Sequence, residues 1–300
     1  MGPFGRGGSM SSRTGAGAQR RGGMRWWVLL IFGAYLGYYY LGHRQDAAFT
    51  GRKQLIDTSM DQEVALGLQS FEQILSEAQL ETDPKIVKPI EDIARRLITV
   101  GPQVEQALAK SRGITSATEW DKFDWAVAVI QSEQANAFCL PGGKMAVYTG
   151  ILPVAQNADA LAAVMGHEIA HALLRHGSER MAQQKLVQIG TMAAGVATSD
   201  MDMRQQQMVM AALGAGATYG IMLPFSRDHE SEADYVGLML MAAACYDPQQ
   251  SIGLWERMGA AGGGRSPPEF MSTHPSGGTR ISQLNGWMDE ANAIRAQFCK

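Results

Sequence analysis

Residues Asn157–Gly177 read NADALAAVMGHEIAHALLRHG. Asn157 can cap a helix start with its side-chain oxygen, and Gly177 can close the helix in the left-handed conformation. Between them Leu161, Val164, Met165, Ile169 and Leu173 recur at three- and four-residue steps. That is the pattern of an amphipathic helix with one face in a core. His167 and His171 stand four residues apart, hence stacked on one face, with Glu168 one step round. Two imidazoles so placed can share one tetrahedral zinc ion, and the Glu can reach water on the metal. In a chain of 300 residues with six His, H-E-x-x-H arises by accident in only about one per cent of cases. The spacing therefore predicts a zinc hydrolase site.

A catalytic zinc needs three protein ligands and one open position. The third is sought downstream, in Phe225-Ser226-Arg227-Asp228-His229-Glu230-Ser231-Glu232-Ala233-Asp234. Glu230 and Asp234 are four apart and share a helix face, so one can bind metal while the other orients a ligand imidazole. Taken alone, the same residues read as a solvated acidic helix start. His176 and His229 read as surface or structural residues.

Length and 46% apolar content allow a real core, as one large domain or two small ones. A net charge of -3 gives no general nucleic-acid signal, and no nucleic-acid-binding motif is present. The cysteines, Cys139, Cys245 and Cys299, form no C-x-x-C, so they suggest no second metal site.

Residues 1–25 hold five Arg (6, 13, 20, 21 and 25) and no acid, a composition expected to be disordered. Trp26–Gly42 is uncharged and short for a membrane span, with Trp26 and Trp27 at one end and Tyr38–Tyr40 at the other as interfacial belts. No small-x-small site follows, which favours an uncleaved anchor over a signal peptide. The Arg-rich tail then stays in the cytoplasm and the rest lies across the membrane. A mitochondrial presequence has a similar composition, so that origin stays open.

After a polar linker at 43–58, Ser59 and Gln62 read as a capping box opening a helix to about Ala78. Asp83-Pro84 opens another, with Ile86, Ile90, Ile93 and Leu97 on one stripe. FDWAVAVIQ at 123–131 reads as a buried strand, and Ala137–Leu140 with Met145–Thr149 as a hairpin around Pro141-Gly142-Gly143. The uncharged run 208–224 is too weakly hydrophobic for a span. A single crossing there would also part His167 and His171 from the acidic motif, so 186–222 reads as a helical hairpin packed on or over the site. SPPEFMSTHPSGGTR sets Pro267, Pro268 and Pro275 beside Gly277 and Gly278, the composition of a loop that holds one shape yet can move.

H-E-x-x-H followed by S-R-x-x-E-x-E-A-D resembles the zinc metallopeptidase family of the CAAX prenyl protease and HtpX. DQEVALG at 61–67, NAFCLPGGKMAVYTGIL at 136–152 and THP followed by Arg280-Ile281 support it over residues 50–290. The pattern is most similar to single-anchor periplasmic members of the β-barrel assembly-enhancing protease type, without their tetratricopeptide domain and without the extra spans of the other branches. The resemblance implies an α+β fold: a mostly helical, gluzincin-like domain with a small sheet over residues 59–296, behind one N-terminal transmembrane helix. It implies one Zn2+ per chain on His167, His171 and Glu230, with Glu168 as catalytic base and Asp234 behind the ligands. It brings His274 and Arg280 to the site, to stabilise the oxyanion, with capping of the fourth zinc position as the other role for His274. An extended substrate could add to the strand at Asn136, Ala137, Phe138 and Cys139. Cys245 and Cys299 could pair in an oxidising compartment.

The function expected is membrane-anchored hydrolysis of misfolded or misassembled envelope proteins, with a chaperone-like or scaffold protein holding a capped or structural zinc as the alternative. The setting expected is the bacterial inner membrane facing the periplasm, or the mitochondrial inner membrane facing the intermembrane space. The partners are unfolded proteins and the membrane, with no nucleic acid.

Overall fold

The computed structural model describes residues 24–115, 118–218, 222–261, 269–274 and 279–299. The basic tail lies almost wholly outside the described residues, as do Pro267, Pro268, Pro275, Gly277 and Gly278 of the expected hinge loop.

Helix α1 (Trp26–His43) leads into a two-stranded antiparallel hairpin, β1 (Arg44–Asp46) and β2 (Lys53–Leu55). The stretch expected as a linker is thus folded, because Ala47 and Phe49 between the strands are buried in the main core. Helix α2 (Met60–Glu77) starts at a complete capping box: the Ser59 hydroxyl accepts from the Gln62 N–H, and the Gln62 side chain accepts from the Ser59 N–H. Helix α3 (Pro84–Arg112) starts at Asp83, whose carboxylate accepts from the Lys85 N–H. Its Ile90, Ile93 and Leu97 are buried.

Three strands follow, β3 (Ala126–Ile130), β4 (Ala137–Leu140) and β5 (Lys144–Tyr148), in the order β3-β5-β4. The β4–β5 hairpin is antiparallel, and β3 runs parallel to β5 with Ala126 opposite Lys144. Strand β4 is therefore a sheet edge. The remaining elements are helical: α4 (Leu152–Ala155), α5 (Ala158–Leu173), α6 (His176–Ala197), α7 (Met203–Ala217), α8 (Leu223–Ala243), α9 (Gln250–Ala261), α10 (Glu269–Thr273) and α11 (Arg280–Phe298).

Helix α5 runs through the middle. Asn157 caps it, accepting from the Ala160 N–H at 2.8 Å. The expectation of one buried face is too small: Ala160, Ala162, Ala163, Ala170 and Ala172 are buried along with the larger apolar residues. Alanine leaves room for neighbours on every side, and α3, α8, α9 and β4 all pack against the helix. The contact with α8 is closest at Gly166 and Gly237. A Cβ on Gly237 would lie 2.7 Å from the His167 backbone nitrogen, so the two backbones approach as only glycine permits.

The end of α5 also corrects the reading from Gly177. The helix stops at Leu173, and Arg175 takes the left-handed conformation with φ 58°. That conformation costs a non-glycine residue about 1–2 kcal/mol. Here it is offset by the Arg175 guanidinium, which donates to Glu63 at 2.5–3.1 Å and to the Thr58 carbonyl at 2.8 Å. Gly177 lies inside the first turn of α6.

Helices α6 and α7 form the expected hairpin, but it packs on α1 through α6 rather than over His167 and His171. Tyr39, Leu55 and Ala182 make a small separate core with Leu186. Arg25 donates its backbone N–H to the Ala197 carbonyl and pairs with Asp200. Helix α1 keeps the predicted span's position, yet among the described residues no helix is long and apolar enough to cross a membrane. Tyr35, Tyr38, Tyr39 and Tyr40, with Gly33, Gly37 and Gly42, dilute its hydropathy. Its outer face still exposes Trp26, Trp27, Leu30, Ile31, Tyr38 and Leu41. At the far end of the chain, Cys245 and Cys299 form a disulfide that ties the end of α8 to the end of α11.

Candidate metal centre

The crossing of α5 and α8 sets His167 and His171 against Glu230 and Asp234. His167 Nε2 lies 3.0 Å from His171 Nε2 and 3.3 Å from Glu230 Oε2, and Glu230 Oε1 lies 3.5 Å from His171 Nε2. The segment after α10 brings His274 Nδ1 to 3.3 Å from His167 Nε2 and 3.2 Å from Glu230 Oε1. All four donor atoms lie within 4.8 Å of one another. Ligands held about 2.0–2.1 Å from a tetrahedral zinc stand roughly 3.3–3.4 Å apart, close to the five distances just given.

The protons agree with a cation at this point. His167 Nδ1 lies 2.9 Å from Asp234 Oδ1, and the carboxylate can only accept, so the proton sits on Nδ1 and the Nε2 lone pair faces inward. A carboxylate and several imidazole nitrogens converging at these distances repel unless a cation or proton lies between them. Burial disfavours charge on His167, but the Asp234 and Glu230 carboxylates outweigh it and raise its pKa to about 9. A divalent ion held there would take the place of that proton at neutral pH. Glu230 is buried too, yet His167 and His274 hold its carboxylate far below the usual range.

Glu168 is 2% exposed, and its Oε1 accepts no hydrogen bond among the described residues. Burial raises its pKa, with His274 and His167 pulling the other way. A carboxyl group with raised pKa and a free oxygen beside a metal cluster is suited to take and return a proton. His274 Nε2 stands 3.4 Å from that oxygen, so one imidazole faces both the cluster and the base.

Arg280, the first residue of α11, is buried and donates from Nε to Asp234 at 2.5 Å and from Nη2 to Glu230 at 2.9 Å. Its guanidinium lies over the Trp255 ring at 3.7 Å. This geometry engages Arg280 with the two carboxylates through Nε and Nη2, while its buried Nη1 has no hydrogen-bond partner among the described residues. Trp255 and Phe270, neither singled out in the sequence, wall the His167 ring at 5.9 and 5.8 Å between centroids.

The proposed docking strand lies where the sequence put it. Ala137 and Cys139 face α5, and the Cys139 backbone comes near enough to Glu168 to favour its charged form. Phe138 points to the opposite face, against Tyr148 and the small core around Phe71 and Ile130. Asn136 accepts from the Ala137 N–H through its own side chain. Just before β4, the Ala135 carbonyl accepts from the Phe270 N–H at 3.1 Å, which docks α10 on the start of the edge.

A second layer of polar groups escaped the sequence reading. His176 and His229, expected at the surface or in a structural role, are 2% and 1% exposed. His176 Nδ1 lies 2.8 Å from His171 Nδ1, and its Nε2 lies 3.0 Å from Glu232. His229 pairs with Glu179 at 2.8 Å. The available signal was compositional. His229, Glu230, Glu232 and Asp234 crowd ionisable groups into the start of a segment that continues as apolar YVGLMLMAA, which a solvated helix face does not do.

The model of peptidase family M48 matches residues 103–288. The chain is 34% identical over 269 residues to the mitochondrial metalloendopeptidase OMA1 of Schizosaccharomyces pombe, covering 88% of this chain and 73% of that protein. It is 32% identical over 286 residues to the same-named protein of Saccharomyces cerevisiae, covering 91% and 77%. To the β-barrel assembly-enhancing protease of Escherichia coli it is 27% identical over 241 residues, covering 79% and 45%. The nearer likeness expected to the bacterial type is thus corrected: its identity and coverage are lower than those of the fungal relatives.

Proposed function

The chain belongs to peptidase family M48 and is a metalloendopeptidase, and on that premise we propose that it binds one zinc ion and cuts unfolded or misassembled membrane-associated proteins. His167, His171 and Glu230 are the ligands in this reading. The observation that carries it is the near-tetrahedral spacing of these donors with a buried, under-bonded Glu168 beside them.

A zinc ion held there would polarise the scissile carbonyl and lower the pKa of the attacking water. Glu168 takes the water's proton and delivers it to the leaving amine. Asp234 holds the His167 ring through Nδ1, and Arg280 orients Glu230 and Asp234 while balancing their charge. A substrate strand lies along β4, where the backbone at Cys139 already meets the base. His274, with Nδ1 beside His167 and Glu230, would hold the fourth ligand position in the resting protein, and α10 covers the start of that edge. This placement favours a latent enzyme and is also what the scaffold reading would require.

The exposed aromatic and aliphatic face of α1 supports its role as the membrane-contacting element. The disulfide supports an oxidising compartment. The mitochondrial names of the fungal relatives favour the inner membrane facing the intermembrane space over a bacterial periplasm.

The full chain in detergent tests the reading. Wild type should hold one zinc per chain and cleave casein. Glu168→Gln should keep the metal and lose cleavage, and Glu230→Ala should lose the metal. Full zinc retention by Glu230→Ala would overturn the ligand set, and cleavage by Glu168→Gln at the wild-type rate would overturn the base.

A further inference from the structure

We propose that His176 and Glu232 form a positioning relay for the ligand His171, and that Arg52 and Thr50 of the β1–β2 hairpin hold its outer end. The relay rests on the metal centre read above. Its logic is one of tautomers. Glu232 can only accept, so the 3.0 Å contact with His176 Nε2 puts the His176 proton on that nitrogen. The His176 Nδ1 lone pair is then an acceptor, 2.8 Å from His171 Nδ1, which must donate to it. That leaves His171 Nε2 deprotonated and directed at the cluster, 3.0 Å from His167 Nε2. The two histidine ligands are thus fixed in the same tautomer by different means. Asp234 acts directly on His167, while Glu232 acts on His171 through an intervening imidazole.

The intervening ring is itself held. His176 stacks on His229 with centroids 4.2 Å apart and planes 10° from parallel, and His229 is paired with Glu179. Arg52 bridges the two glutamates, donating from Nη2 to Glu179 at 2.6 Å and from Nε to Glu232 at 2.7 Å, and the Thr50 hydroxyl also donates to Glu232. His176, His229, Glu179 and Glu232 are all less than a tenth exposed. Buried charge networks rarely stabilise a fold better than apolar packing of the same volume, so stability alone is a poor reason for this one. Its contact with a ligand's outer nitrogen supplies a better reason. The hairpin follows α1 directly, so the segment that leaves the proposed membrane element also steadies the metal site.

The test measures zinc affinity of the full chain in detergent by chelator competition, with the visible spectrum of the Co2+-loaded protein as a second readout. His176→Phe keeps the ring and removes both nitrogens. It should weaken zinc binding about 10–100-fold, the range for lost outer-shell partners, and shift the Co2+ bands. His176→Asn places an amide oxygen near the Nδ1 position and should recover most of that loss. Arg52→Met should weaken zinc binding several-fold. A His176→Phe protein that melts like wild type without metal and binds zinc within about threefold of wild type would overturn the relay. Should His176→Phe not fold, Arg52→Met decides, since Arg52 is partly exposed: unchanged zinc affinity there would overturn the proposal. His171→Ala is the reference. If it too retains zinc, the metal-centre reading has failed and not the relay alone.

Discussion

Replacing His274 with alanine separates the two roles open to it. The ring is stacked on Phe270 at 4.7 Å, its backbone N–H donates to the Phe270 carbonyl at 2.9 Å, and its Nδ1 meets His167 and Glu230. An aromatic stack of this kind contributes about 0.5–1.5 kcal/mol, and ligation of the metal adds to it. A closed state favoured by about 1–3 kcal/mol leaves the site open roughly 1–15% of the time, so removing the cap should raise the rate about 5–150-fold. If His274 instead stabilises the transition state, its loss should lower kcat roughly 10²–10³-fold, as for one oxyanion donor. The expected outcome is the rise. The assay compares kcat/KM of wild type and His274→Ala on one quenched peptide at equal zinc occupancy. A fall of about a hundredfold or more would refute the capping argument.

Gly237→Ala drives a methyl group to within 2.7 Å of the His167 backbone, so it should destabilise the fold by about 1–3 kcal/mol and weaken zinc binding. Gly259→Ala, in open space on α9, should do neither; equal urea midpoints and zinc affinities for the two variants would refute the close-crossing argument. Burial disfavours the Glu179 carboxylate, but His229 and Arg52 outweigh it and bring its pKa to about 2. The folded state therefore binds fewer protons than the unfolded state between about pH 4.5 and 2, and Glu179's contribution is lost as pH falls through that window. Urea midpoints from pH 5 to 3 should fall less steeply for Glu179→Gln than for wild type; identical slopes would count against the pairing. Binding of zinc at pH 7 should release a proton from His167, which titration in two buffers of different ionisation enthalpy would detect.

Local signals in the sequence translated well. The capping box at Ser59, Asn157 at the start of α5 and the Pro141-Gly142-Gly143 turn each depend on neighbours within a few residues, and each formed as read. The motif residues His167, Glu168, His171 and Glu230 met because two helices with fixed faces had only to cross. What stayed hidden depends on distant partners. The break at Arg175 needs Glu63, more than a hundred residues upstream, and nothing at Arg175 itself announces a left-handed residue. His176 and Glu232, or His229 and Glu179, become partners only once α6 and α8 are side by side. The hairpin at 44–55 was missed because short polar strands carry little periodicity, although Phe49 between them is fully enclosed. Arg280 was found by resemblance, but its grip on Glu230 and Asp234 is a fact of packing.

That grip also sets a clock. Arg280 lies 50 residues beyond Glu230 and 46 beyond Asp234, and it is their cationic partner in the buried site. A chain emerging N-terminus first from a ribosome, at about 5–20 residues per second, carries those carboxylates without that guanidinium for roughly 2–10 s. During that interval α8 can be drawn against α5 only with the His167 imidazole to set against two buried carboxylates. Closure of the site around Glu230 and Asp234 thereby waits for the segment that carries Arg280.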